Sequence, residues 1–147
     1  MMKSFPRTIN KLRTNPQTIK EMRPTLMKRS EISDTAGDAQ WYPAQVPGTV
    51  YTDLLRNGQM EDPFWKDNEY RALDLMEKDY EYETVFEGTE AQEGERQWLR
   101  FEGLDTICDI YLNEEKIGNT YNMHRTWEFD VTGKVKAGEN ILRGRIH

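Results

Sequence analysis

The second half of the chain alternates between apolar and polar positions with a period of two. In the clearest segment, residues 80–87, the apolar positions are Tyr80, Tyr82, Thr84 and Phe86, and glutamates occupy positions 81, 83 and 87. Successive side chains of a β-strand point to opposite faces of the sheet, so the aromatic rings and the carboxylates lie on opposite faces. The pattern predicts a half-buried antiparallel strand, and we interpret the Glu81/Glu83 pair as a solvated face.

The same alternation recurs in four later segments. The residues that share an apolar face are Leu99/Phe101, Cys108/Ile110/Leu112, Trp127/Phe129/Val131 and Leu142/Ile146. Turn-forming residues separate the segments, notably Asn113-Glu114 and the run 136–139. Because each strand has one apolar face that a second sheet must cover, we predict an all-β fold, a β-sandwich with jelly-roll-like topology.

The last of these strands is short as the sequence presents it. Leu142 and Ile146 open an apolar face, and the sequence reaches its last residue at His147. We therefore expect a severed strand, a sandwich that is incomplete at its C-terminal end, and an exposed sheet edge through which the chain could self-associate.

The first half of the chain lacks a sustained apolar period. Its Pro and Asn residues predict an irregular lead-in over residues 1–20, followed by one domain over residues 21–147. Two prolines in the segment 41–48 favour an extended loop. Thr49 is a good N-cap and Asn57-Gly58 a good helix stop, so one short helix is predicted near residues 49–57.

The charge is distributed unevenly. The net charge is -6, but residues 1–30 hold eight basic residues against one acidic residue, which leaves 12 basic and 25 acidic residues in the remainder. The acidic remainder of the chain repels the phosphate groups of nucleic acids. The basic residues 1–30 lack the interspersed aromatic residues that nucleic-acid-binding segments contain. Neither nucleic acid nor a membrane is therefore an expected partner.

Cysteine and histidine are scarce. Cys108 is the one cysteine, and the two histidines are His124 and His147, so the sequence offers no zinc-type ligand set and no cofactor is expected. The basic amino terminus is not followed by an apolar stretch of the kind that export signals contain. A cytoplasmic location is therefore the expectation, and a secreted or periplasmic location is the alternative.

A series of short motifs gives the chain a resemblance to a known family. In order, they are WYPA at 41–44, VPGTVYTDLL at 46–55, DPF at 62–64, DNE at 67–69, DYEY at 79–82, FEGLDT at 101–106, DIYLN at 109–113, NM at 122–123, FDVT at 129–132 and GEN at 138–140. In order and spacing they resemble the opening of β-mannosidases of glycoside hydrolase family 2. The chain departs from the family pattern at Tyr80, where tryptophan is common, and at His124.

The resemblance implies a galactose-binding-domain-like sandwich at the front of a large retaining exo-glycosidase. In that family the two catalytic glutamates belong to a TIM barrel that follows this domain, so no catalytic residue is expected within these 147 residues. The expected partners are the remaining domains of the parent enzyme and β-mannosides. The alternatives are a stand-alone carbohydrate-binding module and a structural or assembly domain.

Two groups of residues have the chemistry of a sugar-binding site. The first is Trp65 with Asp67, Asn68 and Glu69, since sugar hydroxyls bind to carboxylates and carboxamides while an aromatic face stacks on C–H bonds. The competing interpretation is an interdomain loop whose aromatic residues bury against another domain.

The second group is Asn122 and Arg125 beside Trp127. The arginine could hold a hydroxyl or a carboxylate of another domain. For Trp127 we favour a place in the core, and for Arg125 a contact with another domain.

Overall fold

The computed structural model describes residues 4–5, 8–14, 27–34 and 40–147 of the chain. Its strands are β1 (Ser4–Phe5), β2 (Thr8–Thr14), β3 (Met27–Asp34), β4 (Tyr42–Pro43), β5 (Gly48–Thr49), β6 (Tyr80–Gly88), β7 (Gln97–Glu102), β8 (Cys108–Leu112), β9 (Glu115–Thr120), β10 (Thr126–Asp130) and β11 (Gly138–Ile146). Its helices are α1 (Val50–Arg56) and α2 (Asn68–Met76).

The strands form a sandwich of two antiparallel sheets. One sheet has six strands in the order β4-β3-β6-β11-β8-β9, the other has three in the order β10-β7-β2, and β1 pairs with β5. Buried side chains of both sheets belong to one apolar core, which includes Tyr82, Phe86, Phe101 and Ile110. Val50 and Leu54 of α1 join the same core, so the helix supplements the smaller sheet in covering the larger one.

The period-two prediction is confirmed along the central strands. In β6 the residues Tyr80, Tyr82, Thr84 and Phe86 are buried and the intervening glutamates are more exposed, and β7 and β8 alternate in the same way. The helix near residues 49–57 is also confirmed: Thr49 caps α1 by accepting a hydrogen bond from the Thr52 amide at 3.2 Å. Gly58 then has φ +68°, the left-handed conformation expected at a helix stop.

The prediction of an irregular lead-in over residues 1–20 is wrong where that segment is described. β2 runs antiparallel to β7 and pairs Ile9 with Phe101 and Leu12 with Leu99. A register shift between Ile9 and Lys11 interrupts the pairing, and such a bulge breaks the alternation on which a strand prediction depends. Ser4–Phe5 of the same segment form β1, and residues 1–3, 6–7 and 15–20 lie outside the described residues.

The prediction that the last strand is short and leaves the sheet without a neighbour is also wrong. β11 is nine residues long and pairs with β6 along its whole length and with β8 from Leu142 onward. It is therefore a central strand of the six-stranded sheet, and the exposed edge predicted at this position does not exist. The apolar pattern of this strand is weak, because Asn140 and Gly144 occupy buried positions while the apolar Ile141 is exposed.

The prediction of a single helix is incomplete, because α2 follows α1. α2 has no simple amphipathic pattern: Ala72 is buried, whereas Tyr70 and Leu73 are 64% and 56% exposed. Turn-forming residues at 62–68 favoured a loop up to Asn68. The sequence patterns also gave no indication of β3, and β9 is the second arm of the hairpin that turns at Asn113-Glu114.

Candidate functional site

The first predicted group lies on the turn that leads into α2. Phe64 and Trp65 are 94% and 66% exposed, so both rings are free to stack on a ligand or on another domain. Asn68 donates its side-chain amide to the Asp62 carbonyl at 3.0 Å, and Asp62 in turn accepts from the Phe64 amide at 2.9 Å. The asparagine thus holds the turn, and its side-chain oxygen and second N–H remain for another partner.

The other two members of this group lie at the start of the helix. Asp67 is the N-cap residue of α2 and makes no side-chain capping bond, and Glu69 is exposed in the first turn. A shallow depression beside them is lined by Glu61, Asp62, Trp65, Lys66, Asn68 and Arg71. The structure therefore brings Trp65 and Asn68 to one surface, whereas Asp67 and Glu69 are not among the residues that line the depression.

The second predicted group forms a separate loop between β9 and β10. Asn122 accepts a hydrogen bond from the His124 amide at 2.8 Å, and its carbonyl accepts from Nε1 of Trp127 at 3.0 Å. The Arg125 guanidinium lies 4.3 Å above the Trp127 ring, and the Tyr121 ring meets that ring edge-on at 4.9 Å. Trp127 is half-buried against the core, and Arg125 covers one face of its ring, which leaves little of it for a sugar to stack on.

The two predicted groups do not converge. Among the described residues, no hydrogen bond, ion pair or ring contact joins Trp65, Asn68 or Glu69 to Asn122 or Arg125. In the described part of the chain, the two groups are therefore not linked by direct contacts.

The turn before α2 and the outward side of the helix carry exposed apolar side chains, of which the sequence analysis singled out the aromatic residues of the turn but not Tyr70 and Leu73. We call Phe64, Trp65, Tyr70 and Leu73 the aromatic strip; each is more than half exposed. The opposite side of the helix is already committed to the core through Ala72. A surface helix that is apolar on its solvent side as well as its core side is typical of an element with a further partner.

The interpretation of the Glu81/Glu83 pair as a solvated face is wrong. The side chains of Glu81 and Glu83 are only 15% and 12% exposed, because each is paired with an arginine of β11. Arg143 donates to Glu83 at 2.7 Å and Arg145 donates to Glu81 at 2.8 Å. Sequence alone did not find these pairs, since it does not specify which strand lies beside β6.

Asp53 of α1 is a buried carboxylate that holds three parts of the fold together. It accepts hydrogen bonds from the Gln45 amide at 3.0 Å, from the Tyr82 hydroxyl at 3.0 Å and from Arg56 at 2.8 Å. Burial raises the pKa of Asp53, and these donors oppose that effect by favouring the charged form. The residue serves the structure, and its engaged oxygens leave it poorly placed for acid–base chemistry.

Replacing Tyr82 with phenylalanine is expected to destabilise the fold by about 1.5 kcal/mol near neutral pH, because a buried carboxylate loses a hydroxyl donor. The folded-state pKa of Asp53 is raised, so its ionisation costs stability as the pH rises through that pKa, and Tyr82 offsets part of the cost. The penalty should therefore shrink as the pH falls through the raised pKa. Urea unfolding at pH 7 and at about pH 4 measures both values.

Tyr80→Phe is the matched control for this substitution. The Tyr80 hydroxyl donates to the Leu75 carbonyl at 2.9 Å, a neutral acceptor, so its loss should cost the same at both pH values. An equal pH response in the two variants would contradict the role given to Asp53.

The one cysteine of the chain, Cys108, is buried. Burial raises the pKa of the Cys108 thiol to about 12, so the thiol stays protonated and unreactive near neutral pH. Within the described residues, no cluster of His, Cys, Asp or Glu has the arrangement of a metal site. In the same part of the chain, neither helix is long and apolar enough to cross a membrane.

The chain is similar to known glycosidases along most of its length. The family profile described as "Glycosyl hydrolase 2 galactose-binding domain-like" matches residues 27–147. A β-mannosidase B of Aspergillus terreus is 35% identical over 114 residues, which are 76% of this chain and 13% of the relative. A β-mannosidase of Rattus norvegicus is 38% identical over 98 residues, which are 64% of this chain and 11% of the relative.

Solved structures show the same similarity. The crystal structure of a β-D-mannosidase from Dictyoglomus thermophilum matches with a TM-score of 0.73 and 37% identity, over 82% of this chain and 15% of that one. An exo-chitosanase of Amycolatopsis orientalis matches with a TM-score of 0.64 and 21% identity, over 98% of this chain and 16% of that one, a likeness of fold alone. The chain thus spans a small fraction of the length of these relatives.

Proposed function

The chain belongs to the galactose-binding-like domain of glycoside hydrolase family 2, and on that premise we propose that it is a non-catalytic domain of an exo-acting β-mannosidase. The observation that carries the proposal is the similarity to β-mannosidases. Two relatives are 35% and 38% identical in sequence, and the β-D-mannosidase of known structure is 37% identical. The matched part of each of these three β-mannosidases is at most 15% of its length. Hydrolysis of terminal β-mannose by a retaining mechanism would then belong to residues of the parent other than these 147.

The aromatic strip is the proposed surface against which another domain of the parent packs. Its four side chains are 56% to 94% exposed in this domain, and burying large apolar side chains is worth roughly 1.5–3 kcal/mol each. The surrounding segment 61–78 holds six acidic and three basic residues. The matching surface is therefore expected to have an apolar centre and a basic rim, whereas a second copy of this chain would bring like charges together.

Residues at the edge of the aromatic strip are the proposed contacts with sugar. Trp65 presents an open ring, and Asn68 and Glu69 lie at the start of the helix beside it. Once the strip is covered, these side chains would border the junction between two domains, where ligand pockets are common. Asn122 and Arg125 lie on a different loop and are proposed as contacts with a neighbouring domain, because the Arg125 guanidinium is fixed over Trp127.

A direct test is to compare this chain alone with a chimera in which residues 27–147 replace the matched segment of the Dictyoglomus thermophilum β-D-mannosidase. The isolated chain should not hydrolyse a chromogenic β-mannoside above a buffer blank. The chimera should hydrolyse it, because the domain would restore the support that the other domains need. Turnover by the isolated chain that is lost on substitution of one of its own carboxylates would overturn the proposal.

The aromatic strip is tested with the double variant Tyr70→Ser/Leu73→Ser in both proteins. In the isolated chain the substitutions should change the free energy of unfolding by less than about 0.5 kcal/mol, because the two side chains have little to contact. In the chimera they should lower the melting temperature and the yield of active enzyme. The matched control is Ile107→Ser, which removes an exposed apolar side chain outside the aromatic strip. Equal effects of the double variant in both proteins would argue against a docking surface.

A further inference from the structure

The outward face of the six-stranded sheet carries a fixed row of charges that the proposed function does not use. Arg143 and Arg145 of β11 lie directly opposite Glu83 and Glu81 of β6. Because the two glutamate side chains are largely buried, each guanidinium is held in one place. An arginine whose position is already set loses little conformational freedom when it binds a ligand.

A cleft opens beside these ion pairs, and we call it the outer-face cleft. It has a volume of about 250 Å³ and is lined by Glu81, Tyr111, Glu114, Ile141, Arg143 and Arg145. Tyr111 of β8 lies opposite Arg143 in register, and Ile141 is 38% exposed. The cleft therefore combines an aromatic and an aliphatic surface with a few fixed polar groups, which is the usual make-up of a small-molecule site.

Donors remain available around Arg143. A guanidinium carries five N–H donors, and the ion pair with Glu83 is made through Nη2. Its Nε is buried and has no hydrogen-bond partner among the described residues. The Trp41 ring lies 5.9 Å from the Arg143 Cζ atom, so a second aromatic side chain borders the same group. Trp41 belongs to the WYPA motif at 41–44, to which the proposed function assigns no role.

The charges of the cleft favour a neutral, hydroxyl-rich ligand. An anion would be repelled by Glu81 and Glu114, and a cation by the two arginines. Sugar hydroxyls can accept from guanidinium groups and donate to carboxylates, while the C–H face of a pyranose ring packs on an aromatic ring. We infer that the outer-face cleft is a saccharide-binding site for a single hexose ring, separate from the segment around Trp65.

Titration of the isotope-labelled chain with methyl β-D-mannoside and with methyl β-D-glucoside, followed by NMR, tests this inference. Saturable shifts are expected at Tyr111, Ile141 and Arg143, with a dissociation constant in the millimolar range that suits a single sugar ring. Arg143→Lys keeps the charge but removes the planar fork, and Tyr111→Ser removes the ring. Each should weaken binding at least about fivefold.

Two matched variants control for charge and for aromatic content. Arg96→Lys changes an exposed arginine that pairs with Asp130, and Tyr121→Ser changes an exposed tyrosine on the loop after β9; both should bind within about twofold of the wild type. Melting temperatures check that all variants are folded. The inference is overturned if neither glycoside gives saturable shifts, if the shifts centre on Trp65, or if the cleft variants bind as the controls do. Shifts centred on Trp65 would instead favour the sugar contacts proposed there, whereas the role as a non-catalytic domain is tested separately, by turnover of the chimera.

Discussion

Replacing Asn140 with alanine is expected to lower the free energy of unfolding by about 3 kcal/mol or more. Asn140 is fully buried, and its oxygen accepts from the Lys136 amide at 2.9 Å and from the Asn113 side chain at 2.9 Å. Its side-chain nitrogen donates to the carbonyls of Lys136 and Gly138 at 2.8 and 3.0 Å. The substitution leaves all of these groups without a partner at once, and a buried group that loses its partner costs roughly 1–3 kcal/mol.

The effect should reach beyond the loop that Asn140 holds. Asn113 occupies the hairpin turn between β8 and β9 with φ +49°, and its own side chain also donates to the Lys134 carbonyl and accepts from the Ile141 amide. Loss of Asn140 therefore loosens the turn and the loop before β11 together. Chemical denaturation followed by tryptophan fluorescence measures the change in free energy.

Asn119→Ala is the matched control, because Asn119 is exposed on β9. Its loss should cost less than about 0.5 kcal/mol. A similar cost at both positions would show that the buried hydrogen bonds of Asn140 do not dominate its contribution.

Gly118→Val is expected to destabilise the fold by about 3 kcal/mol, through overpacking. A Cβ atom at Gly118 of β9 would lie 2.2 Å from Cε1 of Phe129, a residue of β10 in the opposite sheet. The Phe129 ring is held in turn by an edge-on contact with Phe101, whose ring centre is 6.0 Å away. The ring cannot move aside without disturbing the contact between the two sheets, so the loss should appear as a lower unfolding midpoint.

A double-mutant cycle identifies the cause. Phe129→Leu makes room beside Gly118, so the cost of Gly118→Val should be smaller in that background than in the wild type. Equal costs in the two backgrounds would place the damage in the backbone of β9 rather than in the contact with Phe129.

Much of the fold could be predicted because the central strands alternate between apolar and polar residues, and this alternation is visible in the sequence. Tyr80, Tyr82 and Phe86 alternate with glutamates and are buried as that alternation requires. The helix at Val50–Arg56 was equally predictable. Thr49 caps its start through a hydrogen bond, and Gly58 ends it through a left-handed backbone conformation; both effects act within a few residues. Local chemistry of this kind is present in the sequence itself.

The candidate site was predictable in part. The grouping of Trp65 with Asn68 follows from their closeness along the chain, and the structure places both on one surface. The roles of their polar groups did not follow, because the Asn68 amide is committed to the Asp62 carbonyl and Asn122 to its own loop. Hydrogen bonds of this kind depend on the path of the backbone, which residue type does not specify.

By itself, the sequence determined the sandwich class, the core-facing positions of the central strands, the first helix and the family motifs, because each depends on neighbours within a few residues. Only the tertiary structure decided that Thr8–Thr14 is a strand and that Gly138–Ile146 is the centre of a sheet, because pairing partners lie far apart in the chain. It also decided that Glu81 and Glu83 are shielded by Arg145 and Arg143, roughly sixty residues away. Strand order sets these contacts, and strand order follows from the packing of the whole core.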